Sequence, residues 1–197
     1  MSESKESISQ IIEVEEYRGY KLNVDFYKDF LTREESNELY KLLESQVNWT
    51  RPISSNRRSN QTYGDDGLVY EIHWYGKVTE RKVYPWSDIP ILKKYKKQAE
   101  QLTCEKFNIC AIQYYPNGKI GIKKHRDKEM TKGTMIAGVS IGEPRALLIE
   151  GVEDVELELL NGSMYVFNPP TNDYNTHCIK EDDTTNPRMS LTFRNYS

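Results

Sequence analysis

Arg188-Met189-Ser190-Leu191-Thr192-Phe193-Arg194 alternates polar and apolar residues at a spacing of two. Successive side chains of a strand point to opposite faces, so the pattern predicts a strand with Arg188, Ser190, Thr192 and Arg194 on one face. Two arginines and two hydroxyls on an inward face are costly to bury without an anion. A dicarboxylate satisfies them, because guanidinium forks match carboxylates in bidentate pairs. An exposed edge strand blunted by charge accounts for the same alternation. Spacing alone leaves both readings open.

Upstream of this stretch, short strand-like runs recur at 110–115, 135–141, 146–150, 155–159, 163–167 and 177–179, divided by Pro-Asn-Gly, Gly-Glu-Pro, Asn-Gly and Asn-Pro turn signals. Many short strands at regular spacing predict a sandwich or barrel-like β architecture. The first half reads differently. Thr32-Arg-Glu-Glu35 is a capping box, and Leu39, Leu42, Leu43 and Val47 recur at helical spacing, predicting a helix over 33–47. A second helix is expected over 88–103, with Leu92, Tyr95, Ala99 and Leu102 on one face. Residues 49–67 are polar and read as loop and hairpin, 69–75 as a strand, and 1–14 as a flexible tail before one domain over 15–197. Helices first and strands after predict an α+β class with the chemistry in the β-rich half.

The 197 residues are enough for one domain with a real core. Mean hydropathy is -0.76, but 14 Tyr, 5 Phe and 3 Trp argue against disorder. No apolar run approaches the ~20 residues of a membrane span, and the polar start lacks a secretory h-region. Cys104, Cys110 and Cys178 form no tight pattern, so free thiols in a reducing compartment are expected. The expected location is intracellular, nuclear or cytoplasmic, not secreted. Net charge is -3, but residues 51–97 hold 10 basic and 5 acidic side chains. Such a cluster, with Arg57 and Arg58 in its turn-rich part, suits phosphate binding, whereas the lysines at 93–97 also read as a solvated helix face.

The chain has three histidines, His73, His125 and His177. His125-Arg126-Asp127 is an H-x-D whose alternate residues can aim at one point. Two imidazoles and one carboxylate form the facial triad of non-haem iron(II), which leaves coordination sites open for a bidentate cosubstrate and O2. Zinc accepts the same donors. His73 reads as a strand packing residue or a substrate contact, and Asp65 as a plain turn or a lid residue.

Gln113-Tyr-Tyr115, His125-Arg-Asp127-Lys-Glu129, Val139-Ser-Ile-Gly142 with Arg145, Asn161-Gly-Ser163, Asn168-Pro-Pro-Thr171 and Arg188-x-Ser-Leu-Thr-Phe-Arg194 occur in an order and spacing that resemble the AlkB family of Fe(II)- and 2-oxoglutarate-dependent dioxygenases. Gln61 to Tyr70 resembles the nucleotide-recognition lid of homologues that repair double-stranded DNA. The resemblance runs from about residue 20 to 197 and implies a double-stranded β-helix, or jelly-roll, core with N-terminal helices and that lid. It implies Fe(2+), with 2-oxoglutarate and O2 as cosubstrates. It carries the metal-ligand role to His125, Asp127 and His177, and the cosubstrate role to Arg188 and Arg194, supported by Gln113, Tyr115, Ser190 and Thr192. Gln113 stands where the family usually has Asn. Tyr70, Ile72 and Glu129 match positions near the methylated base, with Ile72 at a site often aromatic. A duplex-inserting wedge would fall near Trp49–Ile53. The implied function is oxidative demethylation of 1-methyladenine and 3-methylcytosine in DNA by a monomer that needs no membrane. Methylated RNA, a non-nucleic-acid substrate, or a binding module that lost catalysis are the alternatives.

Overall fold

A computed structural model describes residues 12–74, 76–128 and 130–197, without the side chains of Tyr70, Ile72, His73 and Trp74. Most of the expected tail, residues 1–11, lies outside the described residues. Ile12 already packs against the core.

The chain opens with a hairpin of β1 (Glu15–Gly19) and β2 (Leu22–Tyr27), followed by α1 (Arg33–Gln46). Thr32 accepts the Glu35 N–H and Glu35 accepts the Thr32 N–H, both at 3.1 Å, so the capping box forms as its sequence predicts. Next come β3 (Ser59–Gly64), β4 (Val69–Trp74), β5 (Lys77–Lys82), β6 (Tyr84–Pro85) and α2 (Ile91–Thr103). The second half supplies β7 (Ile109–Tyr115), β8 (Ile122–His125), β9 (Ile136–Gly142), β10 (Arg145–Glu150), β11 (Val155–Leu159) and β12 (Met164–Phe167). The one-turn α3 (Thr171–Tyr174), β13 (Thr176–Ile179) and β14 (Arg188–Arg194) complete it.

Eight strands make one sheet in the order β1-β2-β12-β9-β14-β7-β3-β6, and four make a second in the order β11-β10-β13-β8. From β7 onward the chain passes repeatedly between these sheets, which is the winding of a jelly roll. The small β4–β5 hairpin stands apart as a third sheet. Two hydrophobic clusters fill the layers. In one, Leu39 and Leu43 of α1 and Leu92, Tyr95 and Ala99 of α2 meet Met189, Leu191 and Phe193 of β14. The other lies between the sheets, where Leu147, Ile149 and Leu157 meet Val24, Ile136 and Phe167.

One open choice is decided and two expectations change. The stretch 188–194 is no edge strand: β14 pairs with β9 on one side and β7 on the other, and all seven residues are buried. The polar stretch 49–67 contains a true strand, because β3 pairs with β7 over six residues and borrows its stability from that neighbour. The second helix begins at Ile91, preceded by a 3-10 turn over Trp86–Asp88, and Leu102 is 37% exposed in its last turn. Among the described residues no helix is long and apolar enough to cross a membrane.

Candidate metal centre

Alternation along β14 sends Met189, Leu191 and Phe193 toward the helices and leaves Arg188, Ser190, Thr192 and Arg194 facing the smaller sheet. There they line a cavity with Gln113, Tyr115, His125, Asp127 and His177, closed by Ile122, Leu147, Tyr165 and Ile179. The nine expected metal and cosubstrate residues therefore meet in one place. Gly138 makes room for this arrangement: a methyl group there would come within 2.3 Å of the Tyr165 ring.

His125 on β8 and His177 on β13 are register partners, with ring centroids 4.3 Å apart. Asp127 lies just beyond the end of β8. Its carboxylate is 3.6 Å from His125 Nε2 and 3.9 Å from His177 Nε2. One ligand atom from each residue falls within 4.8 Å of the others, a separation one metal ion can span. His125 Nδ1 lies 2.9 Å from the Lys123 carbonyl, which can only accept, so Nδ1 donates and Nε2 is the ring nitrogen turned toward Asp127. His177 is buried, and burial pushes its pKa down to about 4. Burial alone would raise the pKa of Asp127, but Arg194 and the two histidines outweigh it and hold the carboxyl well below the usual carboxylate range. A neutral imidazole and an ionised carboxylate are the forms that ligate metals.

Arg194 Nη2 pairs with Asp127 Oδ1 at 2.9 Å. Arg188 is almost fully buried: its Nε donates to Ser140 Oγ at 2.9 Å, while its Nη1 has no hydrogen-bond partner. Among the described residues no carboxylate forms an ion pair with it. Desolvation lowers its pKa, so the charge is costly where it stands. A bound carboxylate would relieve that cost, and 2-oxoglutarate fits the chemistry of the wall. Tyr115 donates to Gln113 Oε1 at 3.3 Å beside it.

Of the expected substrate residues, only Arg57 and Arg58 have described side chains. Arg57 is exposed and Arg58 half-buried on the loop before β3. Glu129 lies outside the described residues, and the side chains of Tyr70, Ile72 and His73 are not described. Near the expected wedge, Trp49 packs on Tyr114 and Ile53 packs against the core, so both apolar groups point inward. Asp65 accepts the buried Trp86 indole N–H at 2.6 Å, a structural role alongside its turn. Arg145 is buried and donates to the carbonyls of Asn117, Gly118 and Ile120, which binds the segment before β8 to β10. Sequence reasoning missed Ser140 and Asn172, whose side chains contact Arg188 and the Asp127 backbone.

The 2OG-Fe(II) oxygenase superfamily matches residues 23–194. The chain is 31% identical to the bovine DNA oxidative demethylase ALKBH2 over 201 residues, covering 90% of this chain and 70% of that protein. It is 30% identical to the human DNA oxidative demethylase ALKBH2 over 192 residues, covering 85% and 71%. Its fold is similar to the solved structure of OsALKBH1, with a TM-score of 0.67 at 15% identity, covering 93% of this chain and all of that one. The chain therefore belongs to the AlkB family of the 2OG-Fe(II) oxygenase superfamily and is an Fe(II)- and 2-oxoglutarate-dependent dioxygenase.

Proposed function

We propose that the protein oxidatively demethylates N-alkylated bases of the 1-methyladenine and 3-methylcytosine type in DNA, a direct reversal of alkylation damage. The observation that carries this reading is the convergence of His125, Asp127 and His177 within 4.8 Å beside a buried arginine whose Nη1 is unpaired. The naming of its ALKBH2 relatives as DNA oxidative demethylases supports the choice of substrate.

His125 and His177 would hold iron(II) through imidazole nitrogen and Asp127 through carboxylate oxygen. Iron(II) with 2-oxoglutarate and O2 would supply the oxidising chemistry there, hydroxylation of a methyl C–H bond coupled to conversion of 2-oxoglutarate to succinate and CO2. The N-hydroxymethyl product then collapses to formaldehyde and the unmodified base. Arg188 and Arg194 hold the two carboxylates of 2-oxoglutarate, and Gln113, Tyr115, Ser190 and Thr192 orient it through hydrogen bonds. The apolar wall of Ile122, Leu147 and Ile179 excludes water.

A base must leave the stack to reach a buried metal, and alkylated bases pair poorly, so they are extruded at lower cost. Residues 61–70 form the lid over the flipped base, and Tyr70, Ile72 and Glu129 contact it. Arg57 and Arg58 hold backbone phosphates. The protein acts as a monomer, in the nucleus or cytoplasm, wherever alkylated DNA occurs.

The test is incubation with Fe(II), ascorbate, 2-oxoglutarate and oligonucleotides carrying 1-methyladenine or 3-methylcytosine, followed by mass spectrometry. Loss of the methyl group from DNA with wild type, and not with Asp127→Ala, is expected. Succinate formation that depends on Asp127 without demethylation of DNA would reject the substrate. Parallel single-stranded, duplex and RNA oligonucleotides show whether DNA is preferred.

A further inference from the structure

The three candidate metal ligands are not positioned by the same means. His125 and His177 are partners in one strand pair, so the ladder between β8 and β13 sets both imidazoles. Asp127 lies past the end of β8, in the segment leading to β9. Its N–H donates to Asn172 Oδ1 at 2.9 Å, and its carbonyl accepts from Asn172 Nδ2 at 2.8 Å. One primary amide thus takes up both backbone groups of the aspartate. The orientation of that amide is forced, because the N–H needs an acceptor and the carbonyl needs a donor. Arg194 Nη2 pairs with the Asp127 carboxylate rather than with its backbone.

Asn172 is itself anchored. Its neighbour Thr171 is fully buried; Thr171 Oγ1 accepts the Asn23 N–H at 2.8 Å and donates to the Asn23 carbonyl at 2.9 Å. Asn175 closes the other side of α3 by donating to the Lys21 carbonyl at 2.8 Å and the Thr171 carbonyl at 2.9 Å. The turn is therefore docked on β2, a strand of the larger sheet. Asp127 takes its position from that sheet, while the histidines take theirs from the smaller one.

We infer that Asn172 is a positioning residue for the metal: it fixes the distance and direction of the Asp127 carboxylate relative to the two imidazoles. The inference rests on the reading of His125, Asp127 and His177 as the metal site. Groups that orient metal ligands typically change metal affinity by about 10–100-fold when removed. Asn172→Ala removes both hydrogen bonds. Asn172→Asp keeps an oxygen for the Asp127 N–H but sets a second oxygen against the Asp127 carbonyl.

The experiment is titration of the metal-free full chain with Co(II) alone, followed by calorimetry and by the visible absorption bands that report coordination geometry. Thermal unfolding of each metal-free protein is measured in parallel. Wild type is expected to bind Co(II). Both variants are expected to bind about 10–100-fold more weakly, with altered bands, while their metal-free unfolding temperatures stay within a few degrees of wild type. Variants that bind with wild-type affinity and bands would overturn the inference. If wild type itself fails to bind Co(II), the triad reading fails first. If the alanine variant does not fold, the aspartate variant decides by the same titration. Should both unfold without metal, Asn172 serves the fold rather than the ligand, and the inference is overturned.

Discussion

Arg188 is the residue on which sequence and structure speak most directly to each other. Its buried charge is satisfied on the Nε side by Ser140 and left unpaired at Nη1. Removing an unpaired buried charge need not cost stability. Arg188→Met is therefore expected to leave the unfolding temperature of the ligand-free protein unchanged or higher, while abolishing most of the stabilisation by 2-oxoglutarate and weakening its binding at least ~10-fold. Calorimetry with 2-oxoglutarate and a thermal melt check both halves; unchanged cosubstrate affinity would remove Arg188 from the pocket. The arginine announced itself by spacing. Ser140 and Asn172 did not, because a serine within a strand and an asparagine in a turn have ordinary local reasons to be there. Their partners are 48 and 45 residues away in sequence.

The two helices show how far a local pattern reaches at the scale of an element. The capping box of α1 involves only four consecutive residues, so it was readable before any fold was known. The end of α2 at Thr103 also matches its sequence expectation, but the contacts that hold it there were not readable. There Glu100 accepts the Phe107 N–H at 2.9 Å and pairs with Lys96 at 2.8 Å, joining the helix to the chain that returns into β7. Burial alone would raise the pKa of Glu100, but Lys96, the Phe107 N–H and Lys106 outweigh it, and the net shift is downward from 4.5. A depressed carboxyl stabilises the fold above its unfolded value and loses that contribution as pH falls through the folded value. Wild type should thus lose stability from about pH 4.5 downward. Glu100→Gln should be less stable at pH 7, by ~1–3 kcal/mol for a lost charged hydrogen bond, and its melting temperature should fall less on acidification. Parallel pH dependences would contradict this. The strand β3 marks the opposite limit: Ser-Asn-Gln-Thr-Tyr-Gly has little strand character, and its pairing with β7 makes it one.

For the whole molecule, the site is a joint between sheets. β8 and β13 of the smaller sheet bring His125 and His177, while β7 and β14 of the larger bring Gln113, Tyr115 and the row from Arg188 to Arg194. A metal and cosubstrate bound there tie both sheets together and stabilise the folded state by mass action, about 2.7 kcal/mol at a hundredfold excess over Kd. Melting temperature is therefore expected to rise by roughly 5–11 °C, at ~2–4 °C per kcal/mol for a domain of this size, with Mn(II) and 2-oxoglutarate under those conditions. A chelator should return it to the starting value. A melt indifferent to both would mean that the cavity does not take them. The sequence by itself determined the strand alternation, the helix cap, the order of the motifs and hence the family, because these depend on residues close together in the chain or on their order along it. Only the tertiary structure decided that β14 is central rather than an edge, that β3 is a strand, and that Asn172 holds the backbone of Asp127. Those facts depend on which distant segments become neighbours, and burial and hydrogen bonding act on neighbours in space.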